Sequence, residues 1–197
     1  VNDLTQQISV SGGKYRITFN CKSGDYCFER LGNAVVAPKV FSINVDGILD
    51  DSDWNIDQNV SRVVDGTATE DLNEVSFGVT YNEENLYIGM LIIDGILGPE
   101  ESGEIFVDGD KSGGEYDEHD LHLKFSAAGL EVIQGPDDIQ PVLGFQILGN
   151  GYSSEVSIPW SAIGVTPEEG AQIGIDVMVH DDDSPTDPGV DYTLAWN

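Results

Sequence analysis

The sequence predicts an all-β protein, an antiparallel β-sandwich of the immunoglobulin or jelly-roll type with about ten strands. Three observations lead to this prediction. Apolar and polar residues alternate with a period of two along most of the chain, turns rich in Gly, Pro, Asn and Asp separate the alternating segments, and hydrophobic residues make up 40% of the composition. Helical character is confined to a turn or two at residues 160–163, directly after Pro159.

The alternating segments can be placed in order along the chain. Residues 8–20 suit two short strands around Gly12 and Gly13, a pair that favours a hairpin turn. Residues 75–94 suit two longer strands around the polar turn at 82–85. The remaining strands are predicted at 104–108, 120–126, 130–135, 144–149, 152–160, 171–181 and 191–196.

The charge distribution divides the chain into two parts. Residues 1–40 hold five basic and three acidic residues, whereas residues 41–197 hold three basic and 33 acidic residues. The change from a net charge of +2 to one of −30 indicates a boundary near Pro38. We interpret residues 1–40 as an N-terminal strand segment that either extends the sandwich edge or ends a preceding domain. Residues 41–197 form the sandwich itself.

Charge and hydropathy also exclude several classes of protein. Residues 41–197 are so acidic that they repel phosphate groups, and nucleic acid is therefore excluded as a partner. The sequence has no apolar run of about 18 residues, so no membrane span is predicted. Carboxylates are plentiful enough for glycosidase-like pairs to arise by chance, and no Ser–His–Asp order with a nucleophile elbow is present. We therefore predict no enzymatic activity.

The cysteines Cys21 and Cys27 lie in the segment CKSGDYC. Their spacing is too wide for a zinc or thioredoxin pair, and no second pair follows. A local disulfide around a small loop is predicted, which indicates an oxidising compartment. Two buried free thiols are the alternative.

The stretch FVDGDKSGGEYDEHD, residues 106–120, places six carboxylates on one turn between two strands. Asp108, Asp110 and Ser112 occupy alternate positions, as oxygen ligands do in the first half of a calcium loop. The twelfth position is His119 rather than the Glu of an EF-hand, so nearby carboxylates must complete the site. The predicted Ca²⁺ ligands are Asp108, Asp110, Ser112, Glu115, Asp117 and Asp120. The alternative is a solvated acidic turn.

The strand DLHLKF, residues 120–125, follows this acidic loop and alternates cleanly. Asp120, His122 and Lys124 point to one face of the strand. A carboxylate, an imidazole and an ammonium can each form fixed hydrogen bonds with sugar hydroxyls. A solvated outer face is the alternative interpretation.

Several phrases, in order, resemble those of family 9 carbohydrate-binding modules. They are INVDGILDDSDWNID (43–57), VTYNEENLYIGMLIID (79–94), GEIFVDGDKSGGEYDEHDLHLKF (103–125), NGYSSEVSIPWSAIG (150–164), IGIDVMVHDDD (173–183) and LAW (194–196). The resemblance implies an antiparallel sandwich with bound Ca²⁺ that holds glucan or xylan ends or free sugars. It implies a secreted or cell-surface location within a larger protein. The sugar-binding residues that it implies are Glu104, His122, Lys124, His180, Asp181 and Trp196.

The chain departs from the family pattern in its aromatic residues. Segment 97–104 has no tryptophan before the EIF strand, and Trp54 and Trp160 lie in phrases that are structural in the family. Tyr116 and Tyr192 are the substitute platforms for a sugar ring. One alternative is therefore a calcium-stabilised structural or adhesive domain that has lost the sugar site.

A second alternative is a relative that binds haem through methionine with His or Lys. Met90 and Met178 are the only methionines, and both lie in apolar strand patterns without a CxxCH motif. Packing in the core is therefore the better interpretation for these two residues.

Overall fold

The computed structural model describes residues 5–11, 14–20, 29–67, 71–113, 115–168, 170–184 and 189–197. The chain divides into two compact units between Val36 and Ala37. Among the described residues, none of the helical segments has the length and apolar character needed to cross a membrane.

The first unit contains an antiparallel sheet of three strands, β1 (Thr5–Ser11), β2 (Lys14–Asn20) and β3 (Glu29–Asn33), in the order β1-β2-β3. Strands β1 and β2 pair from Thr5 with Asn20 to Ser11 with Lys14, so the predicted hairpin is present. The sequence did not predict β3. Cys21 and Cys27 lie outside the described residues, so the disulfide stays a prediction.

The second unit, Ala37–Trp196, is the sandwich. Its strands in chain order are β4 (Gln58–Asn59), β5 (Arg62–Gly66), β6 (Leu72–Tyr81), β7 (Asn85–Asp94), β8 (Ser102–Asp108), β9 (Asp120–Ser126), β10 (Gly129–Gln134), β11 (Val142–Leu148), β12 (Gly151–Pro159), β13 (Gly174–Asp181) and β14 (Tyr192–Ala195). A short 3-10 turn, Trp160–Ala162, follows β12 and confirms the predicted helical turn.

These strands form two antiparallel sheets, which confirms the predicted fold class. The large sheet has the order β10-β9-β8-β13-β14-β5, and the small sheet has the order β11-β12-β7-β6-β4. Alternate residues of each sheet face the other and form the core. They include Ile105, Leu121, Leu123, Val177 and Val179 from the large sheet and Phe77, Ile88, Met90, Val156 and Ile158 from the small sheet.

The tight turn between β6 and β7 is organised by Asn82. Its side-chain oxygen accepts hydrogen bonds from the backbone N–H groups of Glu84 and Asn85, both at 2.8 Å. Asn favours such turns because its side chain can bond to the backbone two or three residues ahead. The polar turn predicted at 82–85 therefore fixes the register of the two longest strands.

Residues 44–57 cover the outer face of the small sheet, which explains why its central strands β6, β7 and β12 are buried on both faces. A Cβ atom at Gly78 would lie 2.3 Å from the carbonyl oxygen of Asn55, so this close approach requires glycine. The large sheet differs, because residues at alternate positions on its outer face remain half-buried. A ligand therefore finds accessible side chains on the outer face of the large sheet.

One buried carboxylate joins the covering segment to the small sheet. Glu155 is fully buried, and it accepts hydrogen bonds from the backbone N–H groups of Asp46 at 2.9 Å and Gly47 at 2.8 Å. The indole Nε1–H of Trp54 donates to its other oxygen at 2.8 Å. Trp54 thus has a structural contact within the sandwich.

Candidate functional site

The outer face of the large sheet carries a group of polar side chains that the sequence predicted to lie together. Strands β8, β9 and β13 are neighbours, and alternation directs every second side chain outward. We call this surface the open face, and it comprises Glu104, Phe106, His122, Lys124, Met178 and His180. These side chains are half-buried, so they are ordered by their neighbours but still accessible to a ligand.

Glu104 is at the centre of a hydrogen-bond network on the open face. Its Oε2 lies 2.7 Å from Nε2 of His122, and its Oε1 lies 3.0 Å from Nε2 of His180. The Nδ1 atom of His180 lies 3.0 Å from the hydroxyl oxygen of Thr193 on β14. One carboxylate therefore holds imidazole rings from the two adjacent strands in fixed positions.

The hydrogen bonds from His180 and His122 lower the pKa of the Glu104 carboxyl to about 2, although partial burial acts in the opposite direction. The carboxylate is therefore ionised at all physiological pH values. An ionised carboxylate only accepts hydrogen bonds, and each oxygen has a lone pair beyond the one that its histidine uses. Glu104 can therefore accept hydrogen bonds from hydroxyl groups of a ligand.

Three rings lie side by side along the open face and its edge. The ring of His122 stacks on Phe106, with ring centroids 4.2 Å apart and an angle of 24° between the planes. Tyr116, in the acidic loop, lies nearly parallel to His122 at 6.5 Å and is 52% exposed. Partial burial and the charges of Asp120 and Glu104 raise the pKa of its phenol, so Tyr116 is neutral. Tyr116 therefore presents an exposed, uncharged aromatic ring at the edge of the open face.

A cavity of about 330 Å³ adjoins Tyr116 and Phe106. Asp108 and Asp120 form one part of its wall, and the β13 residues 174–176 form another. Its volume is at the lower end of the range for small-molecule sites. The cavity combines apolar ring surface with carboxylates, which suits a neutral ligand rich in hydroxyl groups.

Lys124 lies directly across from Glu104 in the register of β9 and β8. Among the described residues, its ammonium group takes part in none of the ion pairs. An ammonium has three donors and no acceptor, so it complements the acceptor-only carboxylate of Glu104. A ligand hydroxyl between them would meet one donor and one acceptor.

The structure places two of the predicted ligand residues away from the open face. Asp181 is fully buried. His180 points outward from β13, and the next residue of a strand points to the opposite face, so Asp181 points inward. Trp196 is 5% exposed and packs edge-on against Phe77 at 5.1 Å, so it belongs to the core. Tyr192 is also buried and offers no platform. The sequence analysis missed Phe106, Met178 and Thr193, whose outward positions follow from the same alternation.

The acidic loop uses its predicted calcium ligands in local hydrogen bonds. The backbone N–H of Ser112 donates to Asp108 at 3.2 Å and to Asp110 at 2.9 Å, and this contact lowers the pKa of Asp110. The backbone N–H of Asp117 donates to Asp120 at 2.8 Å. Lys111 has a φ of 58°, a value that curls the chain back toward these carboxylates. The side chain of Glu115 is exposed to solvent.

Comparison with known proteins places this geometry in context. The sequence profile described as "Carbohydrate family 9 binding domain-like" matches residues 45–197. A family 9 carbohydrate binding module from Caldicellulosiruptor kristjanssonii in complex with cellotriose is similar in structure, with a TM-score of 0.69 and 21% identity over 82% of this chain and 83% of that chain. A second structure, the family 9 module from the same organism in complex with glucose, has a TM-score of 0.66 and 21% identity over 82% of this chain and 84% of that chain. No curated protein matches the chain.

Proposed function

We propose that this chain, which belongs to the carbohydrate family 9 binding domain-like family, holds glucan- or xylan-type sugars on the open face. Members of this family are non-catalytic carbohydrate-binding modules, and the chain is one of them. The observation that carries this proposal is the pairing of an ionised Glu104, fixed by two histidines, with Lys124 directly across from it. Sugar hydroxyls both donate and accept, so each can bond to such a pair.

The exposed ring of Tyr116 supplies the apolar half of the proposed site. The axial C–H groups of a pyranose form an apolar face that packs flat on an aromatic ring. The cavity beside Tyr116 is large enough for a small sugar unit. The similar structures in complex with cellotriose and glucose make glucose-type sugars the first ligands to test. A polysaccharide ligand is met outside the cell, so we propose an extracellular module of a larger protein.

The contribution of Tyr116 can be measured directly. The Tyr116→Ala change should weaken binding of cellotriose or xylotriose by about fivefold or more, because the stacking surface is lost. Isothermal titration calorimetry on the full chain would measure this change. Phe41→Ala is the matched control, since Phe41 is 95% exposed and lies outside the open face.

Two results would contradict the proposal. If wild-type protein gives no saturable heat with any glucan or xylan oligosaccharide, the alternative of a structural or adhesive sandwich is favoured. That alternative has one specific observation in its support, because Trp160 and Trp196 are buried and Trp54 bonds to Glu155. If Tyr116→Ala and Phe41→Ala have equal effects, the platform lies elsewhere.

A Ca²⁺ ion in the acidic loop is our second proposal, supported by the alternate spacing of Asp108, Asp110 and Ser112. Asp110→Asn should reduce the calcium-dependent rise in Tm by about 1–3 °C, because one ligand charge is removed. Differential scanning calorimetry in calcium and in chelator, at equal ionic strength, separates this effect from loss of the local hydrogen bond. An unchanged calcium response in Asp110→Asn would contradict an ion at this loop.

A further inference from the structure

Thr193, on β14, lies at one end of the hydrogen-bond network that positions Glu104 on the open face. Strand β14 pairs with β13, and Thr193 is directly opposite His180 in that register. Residues opposite each other on antiparallel strands project to the same side of the sheet, with Cβ atoms about 4.5–5.5 Å apart. Thr193 therefore shares the outer side of the large sheet with His180, although it is only 5% exposed.

The side chain of His180 connects Thr193 to Glu104. Its Nδ1 atom lies 3.0 Å from Thr193 Oγ1, and its Nε2 atom lies 3.0 Å from Glu104 Oε1. Ser102 is opposite His180 on β8, and Glu104 is two residues farther along that strand, so it is a diagonal neighbour within reach of the ring. The imidazole of His180 therefore bonds to a neighbouring strand on each side.

The chemistry of these three groups determines where the protons lie. An ionised carboxylate only accepts hydrogen bonds, so Nε2 of His180 must carry a proton in order to donate to Glu104. A neutral imidazole has a single N–H, so Nδ1 of His180 then presents a lone pair. The hydroxyl of Thr193 can donate to that lone pair. Donation therefore runs from Thr193 to His180 and from His180 to Glu104.

The other tautomer of His180 is unfavourable in this setting. With the proton on Nδ1, the Nε2 lone pair would face Glu104 Oε1 at hydrogen-bond distance, and two acceptors would repel each other. Thr193 opposes that state, because it offers Nδ1 a donor at a position that is nearly closed to water. Removal of the hydroxyl would leave the Nδ1 lone pair without its donor and permit the ring to rotate or to change tautomer.

His122, on the other side of Glu104, is held in a different way. Its Nε2 atom lies 2.7 Å from Glu104 Oε2, and its ring stacks on Phe106 with ring centroids 4.2 Å apart. The contact with an apolar ring fixes the plane of His122, whereas the orientation of His180 depends on a directional hydrogen bond. A change at Thr193 should therefore affect Glu104 Oε1 and leave the contact at Oε2 in place.

We infer that Thr193 is a positioning residue for the sugar site on the open face, an inference that rests on the proposed function. Its hydroxyl keeps the proton of His180 on Nε2, and His180 in turn orients Glu104 Oε1 toward a hydroxyl group of the ligand. Each oxygen of Glu104 then has one lone pair taken by a histidine and one left for the sugar. Thr193 is too deeply buried to contact the sugar itself.

The Thr193→Val change tests this inference, because it removes the hydroxyl and keeps a β-branched side chain of nearly the same shape. The affinity of the full chain for cellotriose, measured by titration calorimetry, should fall by about three- to tenfold, as expected for the loss of one orienting hydrogen bond. Thr193→Ser restores the hydroxyl and should recover most of the affinity. Thr80→Val is the matched control and should bind as the wild type does. Thr80 is also buried, donates one hydrogen bond, to the carbonyl oxygen of Pro38 at 2.7 Å, and lies in the small sheet.

A spectroscopic measurement separates positioning from a general loss of stability. Long-range proton–nitrogen NMR spectra, recorded at a pH where imidazole is neutral, distinguish a protonated ring nitrogen from one with a lone pair. In the wild type, His180 should show a protonated Nε2 and an unprotonated Nδ1. In Thr193→Val these two signals should move toward each other as the second tautomer becomes populated, while those of His122 stay in place. The chain has three histidines, so the loss of signals in His180→Asn assigns them.

Two results would overturn the inference. One is that Thr193→Val binds cellotriose as tightly as the wild type, and the other is that His180 has the same nitrogen signals in both proteins. Thr193→Ala, which also lacks the hydroxyl, replaces Thr193→Val if that variant does not fold. If the wild type binds no glucan or xylan oligosaccharide, the proposed function fails, and the NMR comparison of the sugar-free proteins still decides whether Thr193 fixes the tautomer of His180.

Discussion

Replacing Glu155 with alanine should lower the free energy of unfolding by about 3–5 kcal/mol. The substitution removes the acceptor for three hydrogen bonds, from the backbone N–H groups of Asp46 and Gly47 and from the indole of Trp54. Because Glu155 is fully buried, water cannot readily replace these bonds. The segment that covers the small sheet would lose its central attachment. Equilibrium denaturation in urea measures the effect.

Two further variants serve as comparisons for Glu155→Ala. Glu155→Gln keeps one oxygen for the paired backbone N–H groups but directs an amide N–H₂ toward the indole donor of Trp54, so an intermediate loss is expected. Glu131→Ala removes an exposed carboxylate from β10 and should change stability by less than about 0.5 kcal/mol. A loss below about 1 kcal/mol in Glu155→Ala would contradict the structural role assigned to this carboxylate.

The Glu104→Gln change should weaken sugar binding by about tenfold to a hundredfold. A hydrogen bond to a charged acceptor contributes about 1.5–3 kcal/mol, and the neutral amide also releases His122 and His180 from their fixed positions. Titration calorimetry with cellotriose at neutral pH measures the loss. Glu84→Gln, on the exposed turn between β6 and β7, is the matched control for the change in net charge.

If Glu104 only stabilised the fold and did not contact the sugar, Glu104→Gln would weaken binding by destabilising the protein. The thermal unfolding of Glu104→Gln must therefore be measured beside its affinity for the sugar. We expect the loss of binding free energy to be far larger than any loss in the unfolding free energy of the sugar-free protein. Equal affinity in Glu104→Gln and wild type would remove Glu104 from the proposed site.

Most strands of the sandwich could be predicted because each contains five or more residues in which apolar and polar side chains alternate with a period of two. β4 was missed because it has only two residues, and β5 because all five of its residues are exposed. In neither strand do apolar and polar residues alternate over enough positions to predict a buried face. Strand β3 in the first unit was missed because its sequence, ERLGN, has one large apolar residue.

The open face was predicted in part, for reasons that are visible in single strands. Alternation within β9 placed His122 and Lys124 on one face, but the network with Glu104 depends on which strands are neighbours, and spacing in the sequence does not contain that information. The family resemblance implied both His180 and Asp181 as ligand residues, whereas consecutive residues of a strand point in opposite directions, so that only His180 lies on the open face.

The most direct test of the central claim is a crystal structure of the chain saturated with cellotriose. The sugar should lie on the open face, with one ring against Tyr116 and hydroxyl groups within hydrogen-bond distance of Glu104 and Lys124. A sugar bound to any other surface, or an unliganded open face in crystals that hold cellotriose elsewhere, would contradict the claim.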